Sequence, residues 1–190
     1  QLADGRQLYA GKDLWKSGKW IGVCESTDDG RSWKKLAQIP TRPSDDPGEY
    51  HELHVVEATN GTLVAQIRNN NPANRSETLQ TESTDGGKTW SVPHPIGVWG
   101  LPSHLLRLRD DRLLMTYGYR RKPFGNQARI STDHGKTWSE PITVSGDGAN
   151  GDLGYPSTVE LQDGTLLTAW YEQMSNHPRS VLRLAKWNLL

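Results

Sequence analysis

Cysteine occurs once in 190 residues, at Cys24; phenylalanine occurs once, at Phe124, and methionine twice. A lone cysteine excludes a disulfide within the chain, so no covalent cross-link declares a redox compartment. Apolar residues make up only 34% of the sequence, and no run approaches the ~20 residues that a membrane-crossing helix needs. No membrane partner is expected on that ground. Neither sign of charge dominates, since 22 Lys and Arg balance 22 Asp and Glu. With no net field to recruit nucleic acid or an anionic surface, an acidic ligand would have to be held by a few locally placed cations. The six histidines show no zinc spacing and no glycine-rich phosphate loop is present, so no metal and no cofactor is expected.

What the chain does have is punctuation: 19 glycines and 11 prolines, a composition of short strands joined by many turns. One turn is written three times. Ser26-Thr27-Asp28-Asp29-Gly30-Arg31-Ser32-Trp33 returns as Ser83-Thr84-Asp85-Gly86-Gly87-Lys88-Thr89-Trp90, and again as Ser131-Thr132-Asp133-His134-Gly135-Lys136-Thr137-Trp138. The residue types have a local logic. Asp bonds backbone N–H groups inside a tight turn, Gly takes the positive φ, and Trp leaves as an apolar anchor. The starts at 26, 83 and 131 are 57 and 48 residues apart, the period of an array of small supersecondary units.

This motif is the Asp-box, and three copies make the chain resemble the sialidase (neuraminidase) superfamily of β-propellers. The resemblance implies an all-β fold, a partial six-bladed propeller of about three and a half blades, with the box between the last two strands of a blade and on its outer rim. The boxes, including Ser26, Asp28, Gly30, Trp33, Ser83, Asp85, Gly87, Trp90, Ser131, Asp133, Gly135 and Trp138, are therefore expected to be structural.

Taken in order, the sequence suggests one partial propeller domain in units of roughly 1–45, 46–97, 98–147 and 148–190. Strands are expected over 7–10, 20–25 and 33–39. The second unit places them over 51–58, 62–68, 78–82 and 90–96 around the Asn60-Gly61 turn, and the third over 104–108, 113–119, 127–130 and 138–144. A fourth unit follows the glycine-rich connector 146–154, with strands over 157–161, 165–172 and 181–187. Because the count falls short of six blades, an N-terminal portion of a longer protein is expected to precede Gln1. Open strand edges at the two ends are expected to favour self-association.

Aligning the hairpin turns of the repeats places Glu52 opposite Tyr155, 103 residues on, and Pro102 at the same place between them. The superfamily's motif is a Glu, then x-x-Val-Val-Glu, and an Arg sixteen residues after the first Glu. Glu52-Leu53-His54-Val55-Val56-Glu57 and Arg68 fit it. A family arginine two residues before a box serine corresponds to Arg129. A Tyr, a strand, Asp-Gly and Tyr-Glu correspond to Tyr155, Asp163-Gly164 and Tyr171-Glu172, with the final Glu one residue late.

By resemblance, Tyr155 is the nucleophile and Glu52 the carboxylate that takes its proton, while Arg68 and Arg129 clamp a substrate carboxylate and Glu172 supports an arginine. The implied activity is retaining exo-α-sialidase hydrolysis of a sialoglycan. A glycosidase of uronic or neutral glycans and a non-catalytic carbohydrate-binding propeller are the alternatives. An Asp general acid and a third arginine are expected before Gln1; Asp147 and Asp152 lie near Tyr155 but match no acid motif. His51, His54 and His104 could touch sugar hydroxyls, although structural roles suit them better, and Trp99 and Phe124 offer either a sugar platform or rim packing. A secreted or periplasmic location is what the resemblance implies; no signal peptide is visible in these residues.

Overall fold

The computed structural model describes residues 1–12, 20–175 and 179–189. They form fourteen strands in four antiparallel sheets. β1 (Gln7–Lys12), β2 (Ile21–Ser26) and β3 (Lys34–Gln38) make the first sheet. β4 (Tyr50–Glu57), β5 (Leu63–Asn69), β6 (Glu77–Ser83) and β7 (His94–Trp99) make the second. The third contains β8 (Ser103–Arg107), β9 (Leu113–Tyr119), β10 (Gly125–Ser131) and β11 (Ile142–Ser145), and the fourth β12 (Leu153–Glu160), β13 (Leu166–Gln173) and β14 (Ser180–Trp187). Each sheet pairs its strands in chain order, the meander that short hairpin turns impose. The fold is that of a partial β-propeller.

Two compact units divide the chain, residues 1–98 and 99–190. In the first, β1 packs against β4 over a core that includes Ile21, Val23, Tyr50, Leu63, Ile67 and Trp90. In the second, β12 packs against β8 and β9. A buried ladder of hydroxyls crosses that packing: Thr116 to Thr158 at 3.0 Å and Thr158 to Thr168 at 2.9 Å, with the Trp187 indole N–H donating to Thr168. β14 ends the fourth sheet and carries Leu182 and Leu184 exposed on its outward face.

The three boxes fold alike. In each, the serine hydroxyl donates to the aspartate (2.8, 2.8 and 2.7 Å) and accepts the N–H of the glycine four residues on (2.9, 2.9 and 2.8 Å). The aspartate also accepts the backbone N–H and the hydroxyl of Ser32, Thr89 or Thr137. The glycine at 30, 87 or 135 has a φ of 80°, 90° or 87°, which any Cβ would strain. Trp33 and Trp90 return their indole N–H to that glycine's carbonyl at 3.0 Å. The rings meet different surroundings: Trp90 is 7% exposed, whereas Trp33 is 47% exposed and rests edge-on against Tyr9.

The strands leaving the second and third boxes begin later than the sequence suggests. Pro93 and Pro141 explain this, since a proline has no N–H to give a ladder and pairing starts at His94 and Ile142, directly after each. The first box has no such proline and β3 starts at Lys34. At the other end, β12 begins at Leu153, inside the stretch read as connector, so that Tyr155 lies within the strand.

Candidate active site

In the first unit, the β4–β5 ladder pairs Tyr50 with Asn69 and Leu53 with Ile67, so His51 and Glu52 together oppose Arg68. This bulge turns Glu52 out of the ladder, as bulges do where a side chain is to be re-aimed. The Arg68 Nη1 donates to both Glu52 oxygens at 3.3 Å. A cleft of about 430 Å³ opens beside them, lined by Glu52, His51, Lys12 and Tyr9. Burial, then the positive charges of Lys12 and Arg68, push His51 below its ordinary value, which keeps its ring neutral at pH 7. Burial does the same to His54.

The second unit repeats the device with different chemistry. The β12–β13 ladder pairs Gly154 with Tyr171 and then Ser157 with Ala169, so Tyr155 and Pro156 oppose Trp170 alone. Glu52 is the second residue of its bulge and Tyr155 the first, a one-residue offset along otherwise equivalent strands. Tyr155 has φ 54° and is 44% exposed. A bulky residue in the left-handed region costs about 1–2 kcal/mol, so the surrounding structure holds it there.

Several neighbours do so. Gly118 of β9 meets the kink backbone to backbone: a Cβ on it would stand 2.9 Å from the Leu101 carbonyl oxygen and 3.1 Å from the Gly154 Cα. Arg120, just past β9, donates its Nε to the Leu153 carbonyl at 2.9 Å, and its Nη2 would lie 3.6 Å from a Cβ on Gly154. The Tyr171 ring lies 5.8 Å from the Tyr155 ring, and its hydroxyl donates to Asp152 at 2.7 Å. Burial and that carboxylate raise the Tyr171 phenol above its ordinary value, against the charge of Arg120.

The remaining sequence-derived candidates fall as follows. Glu172 is fully buried and accepts from Arg183 at 3.1–3.2 Å and from the Trp170 indole at 2.9 Å. Arg183 is held from its other side by Asp147 at 2.9 and 3.0 Å. The arginine on Glu172 is thus a residue that the sequence reading left out. Arg129 lies midway along β10, where its Nε donates to the Tyr117 hydroxyl at 3.1 Å and its Nη1 to the Ser139 carbonyl. The contacts of Arg129 are with β9 and the chain beyond the third box, and the arginine beside the Tyr155 strand is Arg120. Its signal in the sequence is the Arg120-Arg121 pair directly after the strand expected over 113–119. Of the two aromatics, Trp99 carries the Arg121 guanidinium 3.6 Å over its ring and Tyr119 edge-on, and Phe124 packs on Gly148 and Gly151. Among the described residues no group of His, Cys, Asp and Glu is placed to hold a metal ion.

The family model described as a BNR repeat-like domain matches residues 1–168. The chain belongs to the BNR repeat-like domain family. A protein of unknown function from Dyadobacter fermentans DSM 18053 is 29% identical with a TM-score of 0.82, covering 99% of this chain and 51% of that one. The alpha-L-arabinofuranosidase Arb93A of Fusarium graminearum, in complex with an iminosugar inhibitor, is 20% identical with a TM-score of 0.69 over 97% and 60%. The intramolecular trans-sialidase of Ruminococcus gnavus, in complex with oseltamivir carboxylate, is 20% identical with a TM-score of 0.67 over 97% and 40%. The chain therefore spans about half the length of the structures it matches. A search of curated proteins finds no match.

Proposed function

We propose that these residues carry part of the active site of a retaining glycoside hydrolase of sialidase type, acting on a terminal acidic sugar. The observation that carries the reading is Tyr155 itself: an exposed phenol presented from a left-handed bulge, one residue offset from the bulge position at which the equivalent strand presents Glu52. Strain at a bulky residue persists where a function needs the side chain aimed.

In this reading Glu52 takes the phenolic proton while the Tyr155 Oη bonds to the anomeric carbon and the glycosidic C–O bond breaks. The leaving oxygen takes its proton from a general acid outside the residues named here. Water then attacks the anomeric carbon, giving its proton to the conjugate base of that acid, and the aryl-glycosyl bond breaks as Glu52 returns the phenolic proton to Tyr155. Using a neutral phenol avoids bringing a carboxylate nucleophile against a substrate that bears its own carboxylate. Arg68 and Arg129 supply the cations for that substrate group, and Arg120, bonded to the Leu153 carbonyl beside the Tyr155 bulge, adds positive charge near the phenol.

A second reading draws on the Fusarium arabinofuranosidase fold and on the Arg68–Glu52 pair, in which the cation already has a partner in the absence of an acidic sugar. That arrangement suits a neutral furanoside. The test is release of fluorophore from an α-sialoside and from an α-L-arabinofuranoside by the longest natural polypeptide carrying these residues, beside its Tyr155→Phe variant. Sialoside turnover lost in the variant supports the first reading, and arabinofuranoside turnover supports the second. Saturable sugar binding with no product from either would mean a binding propeller.

A further inference from the structure

The residue that β13 sets beside the Tyr155 bulge is Tyr171, which is held through its hydroxyl and through its ring. Its hydroxyl donates to Asp152 at 2.7 Å. The Asp152 backbone is itself pinned at two points, and the two residues that pin it are joined to each other. Its N–H donates to the Asn150 side chain at 2.7 Å, its carbonyl accepts from the Gln173 N–H at 2.9 Å, and Asn150 and Gln173 are joined through their amides at 3.3 Å. The Tyr171 ring then meets the Tyr155 ring at 5.8 Å between centroids with 47° between planes. Such tilted aromatic contacts are directional and contribute beyond the area they bury.

We propose that Tyr171 and Asp152 form a positioning pair for Tyr155: the Asp152 carboxylate locks the Tyr171 ring, and the locked ring sets the direction of the Tyr155 phenol. The inference rests on the reading of Tyr155 as nucleophile, but its physical core does not depend on the sugar. Because Tyr171 spends its hydroxyl proton on Asp152, it acts as a wall with a fixed plane rather than as a donor to substrate. A ring free to rotate would let the Tyr155 side chain sample rotamers away from the reacting carbon, and small misplacements of a reacting group cost up to ~100-fold in rate.

The experiment has two arms, run on the same variants: Tyr171→Phe, Asp152→Ala, Asp152→Asn and the Tyr171→Phe/Asp152→Ala double. The first arm measures acetylation of Tyr155 by N-acetylimidazole, located by peptide mass spectrometry, and needs no substrate. Tyr171→Phe and Asp152→Ala are each expected to change the Tyr155 labelling rate about threefold or more in the same direction. The double variant matches either single, because the pair acts as one unit. Asp152→Asn, whose amide oxygen still accepts the hydroxyl, restores most of the wild-type rate. The second arm measures turnover of the fluorogenic α-sialoside, where kcat falls roughly 10-fold in each single variant with KM within about twofold.

Equal labelling in wild type and all variants overturns the pairing, as does a double variant whose effect is the product of the singles. Altered labelling together with no sialoside turnover even by the wild type upholds the pair and removes the sialidase reading instead. Complete loss of turnover in folded Tyr171→Phe, with unchanged labelling of Tyr155, would make Tyr171 the reacting phenol and refute the positioning role.

Discussion

Arg68 holds Glu52 with one nitrogen, Nη1, placed 3.3 Å from each carboxylate oxygen. The contact is long for a charge-assisted bond and partly open to solvent, so it contributes little to stability, on the order of 0–1 kcal/mol. The pair is therefore available to separate when a substrate anion arrives. Glu52→Gln is expected to leave the melting temperature within about 2 °C of wild type while lowering kcat on the active glycoside by ~100-fold or more. Arg68→Ala should act mainly on KM for an acidic sugar. Thermal melts beside steady-state kinetics decide this, and a large drop in melting temperature for Glu52→Gln would place the residue in the scaffold.

The left-handed backbone at Tyr155 makes a prediction about stability that runs opposite to the one about activity. Tyr155→Ala keeps the strained φ without the phenol, whereas Tyr155→Gly removes the strain. The glycine variant is expected to be more stable than the alanine variant by about 1 kcal/mol, read from urea unfolding midpoints at constant slope. Both should be inactive. An alanine variant as stable as the glycine one would show that the bulge relaxes and holds no strain.

Three box aspartates are held at about 2, below the ordinary 3.8. For Asp28 the hydroxyl and N–H of Ser32 do this, and for Asp85 those of Thr89. At Asp133 burial opposes the shift and the bonds from Thr137 outweigh it. A carboxylate depressed in the folded state lends stability that is complete above its unfolded value and is lost as pH falls through the folded one. Unfolding midpoints should therefore hold steady down to about pH 4 and fall between pH 4 and 2. Asp85→Asn should flatten part of that fall. A midpoint that already declines between pH 6 and 5 would assign the acid sensitivity to other groups.

The same motif should answer differently to the same substitution. Trp90→Ala empties a buried site and is expected to cost about 3–5 kcal/mol. Trp33→Ala, at a ring nearly half exposed against Tyr9, should cost about 1 kcal/mol. Equal losses would mean that the indole-to-glycine hydrogen bond, common to both, governs the box.

Arg183→Met leaves Glu172 in a fully buried setting with the Trp170 indole as its one remaining side-chain partner among the described residues, and a buried carboxylate stripped of its cation costs about 3–5 kcal/mol. Adding Glu172→Gln should recover a good part of the loss. If the single variant melts within 2 °C of wild type, the Glu172–Arg183–Asp147 chain is not what secures β14 to β13.

The parts of the fold that local chemistry dictates could be read directly from residues. Ser, Asp, Gly and Trp at fixed offsets close the box turn, and Asn60-Gly61, Asp110-Asp111 and Asp163-Gly164 close the hairpins, so strand order and repeat number followed. Strand starts were missed where Pro93 and Pro141 delay pairing, a signal that was present but unused. The site divides along the same line. Glu52 and Arg68 sit across one ladder at sixteen residues' separation, a spacing that a bulged hairpin fixes. Arg120 reaches Leu153 across 33 residues, and Arg183 reaches Asp147 across 36, between strands and connectors whose mutual approach no local pattern encodes. The left-handed φ of Tyr155 was equally invisible, because a tyrosine carries no mark of the backbone it will be forced to adopt.

Gly118 bears on how freely the array can drift. The hairpin alignment gives one slot to three residues, Arg68, Gly118 and Tyr171, and two of them are large and functional candidates. The third is sealed, because the Leu101 carbonyl and the Gly154 Cα occupy the room that any β-carbon would need. Copies of a repeat thus begin with equal potential and lose it unequally: one is silenced so that its neighbour can bend. Attempts to install new chemistry in this scaffold should load the slots at 68 and 171 and leave 118 empty.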